Sequence, residues 1–245
     1  CPSPTFFKTF GDEFQSEYAT TIIRSSDNNL ILAGREGGRT FIQKMNTSGV
    51  VLWTHTFQTG PFESVTPSEI IEDSEGMIVG CGTQGVSGLS KGFVFRYDPV
   101  NNVMLWARAI TRNNPTAAGI LEKGPGGNFL FYQYSFLISG ERDAEIIEIN
   151  RVSGALNPSL ARRYEYISSD IFTKMIYANG ALYATGSSLG RFGDINITES
   201  RQLLARIDSN NLNPVWAQLS HRDTLAPISF VGRDLVLDGD SLVSV

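Results

Sequence analysis

One strand-like stretch carrying a tryptophan returns along this chain, and its return restricts the fold more than any other feature. "GVVLWTHTF" (49–57), "NVMLWARAI" (102–110) and "NPVWAQLS" (213–220) are three versions of it. Aligned, they place Trp53, Trp106 and Trp216 in one column, with Leu160 of "NPSLARRYEY" completing the series and Phe7 of "TFFKTFG" at its head. By subtraction of those positions the steps are 46, 53, 54 and 56 residues. A near-constant period of this length marks a repeat architecture, in which a unit buries its apolar faces against its neighbours.

Within each period the same features follow in the same order. A first apolar strand leads into a turn and a second strand, as in "SSDNNLILAG", "EDSEGMIVGCG", "KGPGGNFLFYQ" and "YANGALYATG", with a last copy in "VLDGDSLVSV". Asp, Asn and Gly gather at these turns, where positive φ and side-chain bonds to the backbone are required. A third alternating strand and its turn read "TFIQKMNTSG", "GFVFRYDPVNN", "AEIIEINRVSG" and "QLLARIDSNN". They align Asn46, Asp98, Asn150 and Asp208, whose expected task is an Asx turn between the third and fourth strands. A metal site would need these side chains to converge, whereas repeat symmetry spreads them around the molecule.

Four short strands in about fifty residues is the pattern of a β-propeller blade. The expected blades are 14–57, 58–110, 111–166 and 167–220, followed by a partial blade over 221–245. Residues 5–10 are expected to form an outer, closing fourth strand, and 1–245 a single propeller domain belonging to a larger ring. The Trp column is expected to pack between neighbouring blades.

Composition narrows the function classes. With 20 basic and 25 acidic side chains and scattered Lys and Arg, the chain shows no basic footprint for nucleic acid. The longest apolar run, "NFLFYQYSFLIS" (128–139), is too short to span a bilayer as a helix. Two cysteines are present. Cys81, in "MIVGCGT", reads as a small buried hydrophobe. Cys1 reads either as the lipid-bearing cysteine of a bacterial lipoprotein or as a residue that merely follows a boundary.

"FRYDPVNNVMLWARAI" and "ARIDSNNLNPVWAQLS" resemble the quinoprotein-type propeller pattern of Asp, a Gly-or-Asn turn, an aliphatic pair and Trp. "FFKTFGDEFQSEYATTIIRSSDNNLILAGRE" is similar to secreted propellers of the Bacteroidota, many of them exported by type IX secretion. The resemblance implies blades and a secreted or outer-surface location, with lipid anchoring through Cys1 as an option, and it transfers no catalytic residue. The sequence lacks the adjacent cysteine pair of quinoprotein dehydrogenases and the Asp boxes of sialidases.

Little chemistry remains. His55 shares a repeat position with Arg108 and Gln218, which suggests an exposed outer-strand face, and His221 stands in a polar link. Neither supports a catalytic triad or a metal site, so no catalytic residue, metal or cofactor is expected. Interest shifts to three long connections between second and third strands: 82–92, 134–144 and 186–202. They leave equivalent points of successive blades and should gather on one rim. Phe136, Leu137, Arg142, Leu189, Arg191 and Phe192 are the candidate binding residues there. The favoured function is a scaffold or binding module for an envelope or extracellular protein, a polymer, or further domains of a longer chain. The alternative is a hydrolase or quinoprotein-like enzyme with its site in the central channel, completed by further blades.

Overall fold

Period-two alternation governs the chain throughout. A computed structural model describes residues 17–57, 64–86, 89–110, 116–124, 127–136, 142–164, 169–191, 198–220, 234–238 and 241–244. Among them every regular element is a strand, and none forms a helix long and apolar enough to cross a membrane. Cys1, Phe7 and the strand expected at 5–10 lie outside the described residues.

The first sheet joins β1 (Glu17–Arg24), β2 (Leu30–Glu36), β3 (Arg39–Met45) and β4 (Val51–Phe57). The second joins β5 (Ser64–Glu72), β6 (Ile78–Val86), β7 (Leu89–Asp98) and β8 (Val103–Ile110). The third holds β9 (Thr116–Glu122), β10 (Phe129–Phe136), β11 (Arg142–Ile149) and β12 (Leu156–Tyr164), and the fourth β13 (Ser169–Ala178), β14 (Ala181–Arg191), β15 (Thr198–Ile207) and β16 (Pro214–Leu219). Each is antiparallel with strands in sequence order, and a hairpin of β17 (Leu235–Asp238) and β18 (Ser241–Ser244) follows. The first strands pack in succession, β1 on β5, β5 on β9, β9 on β13 and β13 on β17. Face-to-face stacking with first strands innermost makes this a β-propeller.

Alternation explains how both faces of a blade are buried. In the second blade Ile78 points back to the first and Val79 forward to the third, and both are fully buried. The apolar residues accordingly form one cluster per seam. Ile31, Ala33 and Ile42 meet Val65, Ile70 and Phe95; Val79, Cys81 and Trp106 meet Ile120, Phe129 and Ile147; Leu130, Tyr132 and Ile146 meet Phe172, Met175 and Leu182.

The three tryptophans share one register. Trp53 pairs with Lys44, Trp106 with Arg96 and Trp216 with Arg206, and all three partners hold the same place on their third strands. Trp106 packs against Phe129 of the next blade and donates its indole N–H to the Arg151 carbonyl at 2.9 Å. Gly154 lets it approach, since a Cβ there would sit 2.6 Å from the indole. Trp53 and Leu160 are partly buried at their own seams.

The four aligned Asx residues work as turn acceptors. Asn46 Oδ1 takes N–H bonds from Ser48 and Val50, Asp98 Oδ1 from Val100 and Asn101, Asn150 Oδ1 from Val152 and Ser153, and Asp208 Oδ1 from Asn210, all at 2.8–3.1 Å.

His55 departs from expectation. It is half-buried, in tilted contact with Trp53 and Tyr97 at ring-centroid distances of 4.8 and 5.8 Å. Its column faces the next blade, and there Arg108 reaches the Ser153 carbonyl at 2.8 Å.

Candidate functional site at the hairpin rim

The long connections between second and third strands are mostly strand. Residues 82–86 and 89–92 continue β6 and β7, with Val86 opposite Leu89. Arg191 faces Thr198 at the end of β14 and β15, and Phe136 faces Arg142 at the end of β10 and β11. Among the described residues these connections are extensions of the central strands. Small, Gly-rich sequence reads as loop, yet these residues extend the two central strands of each sheet and pair with one another, and β5 still pairs with β6 at Gly85.

The ladder thus brings some candidate residues together. Phe136 and Arg142 occupy directly opposed positions. The backbone N–H of Arg142 donates to Ser169 Oγ of the next blade at 3.0 Å, and Ser169 is the cross-strand neighbour of Leu189. Arg142 and Leu189 therefore share the seam between the third and fourth blades. Leu189 is 40% exposed, and the exposed Arg142 guanidinium lies 5.5 Å from the centre of the Tyr134 ring. That contact holds a cation over an aromatic face. Arg191 ends β14; Leu137 and Phe192 lie outside the described residues.

A second constellation, not expected from the sequence, links the inner strands. Each first strand carries a β-bulge at the same point, adding Thr20, Ser68, Ala118 or Thr173. Where that residue has a hydroxyl, it donates to the second strand: Thr20 to the Ala33 carbonyl, Ser68 to Cys81 and Thr173 to Thr185, at 3.1–3.3 Å. The bulged backbone closes onto a glycine, and a Cβ on Gly82 or Gly186 would lie 2.1 or 1.9 Å from a carbonyl oxygen.

The residue after the bulge is Thr21, Glu69, Gly119 or Lys174. Glu69 reaches across the third blade, where its Oε2 accepts from Ile120 N–H at 3.1 Å and Tyr132 O–H at 3.0 Å, while its Oε1 pairs with the Lys174 ammonium. Gly119 makes the space, because a Cβ would fall 1.9 Å from Glu69 Oε2. Burial first, and then the Glu69 charge, push the Tyr132 hydroxyl well above its ordinary pKa and the Cys81 thiol up as well. Cys81 is buried, free and unreactive in this setting. With all three donors in place, the Glu69 carboxylate ties three blades together. In the sequence the bulged positions read "TTII", "SEII", "AGIL" and "TKMI".

No cluster of three or more His, Cys, Asp or Glu side chains placed to hold a metal occurs among the described residues. The sequence matches no protein-family model and no curated protein. Solved structures similar to the chain include Drosophila Plexin A in complex with Semaphorin 1b, at 9% identity and a TM-score of 0.46 over 82% of this chain and 42% of the other. Drosophila Semaphorin 1a, extracellular domains 1–2, is similar at 9% identity and a TM-score of 0.44, over 83% and 43%. The chain spans less than half the length of either.

Proposed function

We propose that this chain is a secreted or cell-surface binding module that holds an envelope or extracellular protein, a polymer, or a further domain of a longer polypeptide on its hairpin rim. The observation that carries the reading is the joining of Arg142 and Leu189 at one seam by the Arg142–Ser169 bond, with Phe136 opposite Arg142 in the ladder. An exposed cation on an aromatic ring beside an exposed aliphatic residue is the composition of an interface centre. Arg191, which ends β14, is a candidate for the same surface; Leu137 and Phe192 remain candidates from the sequence alone. The chain serves as one propeller domain over 1–245, and Cys1 is the point at which a lipid would tether it. The surface location rests on the resemblance of "TFFKTFG" and the turns after it to secreted propellers.

A photo-crosslinking residue at position 189, compared with one at the exposed Val215 of β16, tests the rim. Adducts with native envelope or extracellular proteins are expected from position 189 and not from 215. Equal labelling from both, or labelling from 215 alone, overturns the assignment.

A further inference from the structure

The seam between the second and third blades is plugged by an arginine. Arg151, directly after the Asx residue of its turn, pairs with Glu122 Oε1 and donates to Ser74 Oγ at 2.9 Å. Its guanidinium carbon lies 5.8 Å from the Phe129 ring centre, and Asp73 Oδ2 is 3.5 Å from Nη2. Arg96 completes the set through Asp73 and Glu75. Two guanidinium groups thus meet three carboxylates.

The seam between the first and second blades has the same walls and no plug. The residue after Asp98 is Pro99, in the place of Arg151. Trp53 stands for Trp106, Glu72 for Glu122, Lys44 for Arg96 and Ile78 for Phe129, each at the same register of its strand. These residues, with Pro99 and Val100, line an open cavity of about 410 Å³, within the range of small-ligand sites. Glu72 Oε2 accepts from Ser26 N–H just as Glu122 Oε2 accepts from Ser74 N–H, which leaves Glu72 Oε1 in the role that Glu122 Oε1 plays toward Arg151. Lys44 is engaged by Asp27 at 2.7 Å. Asp27 and Glu72 against Lys44 leave one unbalanced negative charge, and an incoming guanidinium would balance it.

We infer that this cavity is a receptor for an arginine side chain of a partner protein, which would occupy the place that Arg151 fills one seam later. Trp53, only half-buried, supplies the aromatic wall, Glu72 the carboxylate, and Ile78 the apolar floor for the stem. The site lies at the end of the sheets bearing the first-to-second and third-to-fourth turns, opposite the hairpin rim.

N-acetyl-argininamide titrated into the full chain, with the three tryptophan indole N–H signals followed by NMR and Trp53 assigned through Trp53→Phe, tests the inference. The Trp53 signal is expected to shift saturably while those of Trp106 and Trp216 stay in place. Glu72→Gln should weaken the response about tenfold or more. Pro99→Arg, which supplies the plug from within, should abolish it. An unmoved Trp53, an equal response to N-acetyl-lysinamide, or an undiminished shift in both variants overturns the inference.

Discussion

Gly119 shows how one missing side chain holds three blades together. The space over its Cα is occupied by Glu69 Oε2 and the Tyr132 hydroxyl. Gly119→Ala should therefore displace the carboxylate and cost about 2–3 kcal/mol in urea unfolding, the scale of overpacking a tight site. Arg151 is the matching case for charge. Its side chain is 6% exposed among the carboxylates of Asp73, Glu75 and Glu122. Arg151→Ala would leave buried negative charge unpaired and should destabilise by about 3–5 kcal/mol, read by the same measurement. Tyr97 sets an alkaline limit: burial, with Asp98 nearby, pushes its pKa up to about 12. Because the folded value lies above the ordinary value of about 10, the neutral phenol's contribution is full below pH 10 and is lost as pH rises toward the folded value. Tyr97→Phe should remove a late step from the 295 nm titration and shallow the stability loss over that window. Asp27, held low first by Lys44, and Glu75, held low first by Arg96, act in the opposite sense. Their contribution is present above about pH 4 and fades as pH falls through their folded values, so Asp27→Asn should flatten the acid limb of the stability profile.

At the scale of the element, the turn and the bulge were unequally visible. The Asx column was legible because one side chain must accept N–H bonds two to four residues ahead, a task that Asn and Asp perform best. Asn150→Ala removes the acceptor for Val152, Ser153 and the Ser153 hydroxyl, and thermal unfolding should report a loss of about 1 kcal/mol. The blades were legible through alternation and the tryptophan register. The bulges were not, although "TTII" and "TKMI" align. A bulge is a backbone device that shifts the pleat by one residue, so its trace is a hydroxyl beside an apolar pair rather than a change of pattern. The hairpins misled for a related reason, because Gly, Ser and Thr in "GTQGVSGLSKG" carry loop propensity, while a central strand takes its order from the ladders beside it. Glu69 and Lys174 lie 105 residues apart, and only the stacking of inner strands makes them partners.

For the whole molecule, the seams are alike in outline and different in chemistry. The first is aromatic, with Phe57 edge-on to Phe95 and stacked on Tyr97; the second is ionic; the third uses Tyr164 O–H bonded to the Leu212 carbonyl at 2.8 Å. The cavity between the first and second blades removes packing that the second seam possesses. Amide hydrogen exchange should accordingly find lower protection for β4 than for β8, the matching outer strand of the next blade.

A repeat protein runs a risk that a single-copy fold avoids: a strand of one unit can enter the sheet of another while the chain is still assembling. Between the second and third blades the ion pairs oppose that error. In the first two blades the acid sits on the first turn and the base on the third strand, as Asp27 with Lys44 and Asp73 with Arg96. The third blade reverses the order, with Lys123 on the turn and Glu148 on the strand, 3.5 Å apart. If β11 entered the second blade, Glu148 would face Asp73; if β7 entered the third, Arg96 would face Lys123. Between the second and third blades polarity thus acts as an address label, opposing an exchanged strand by repulsion.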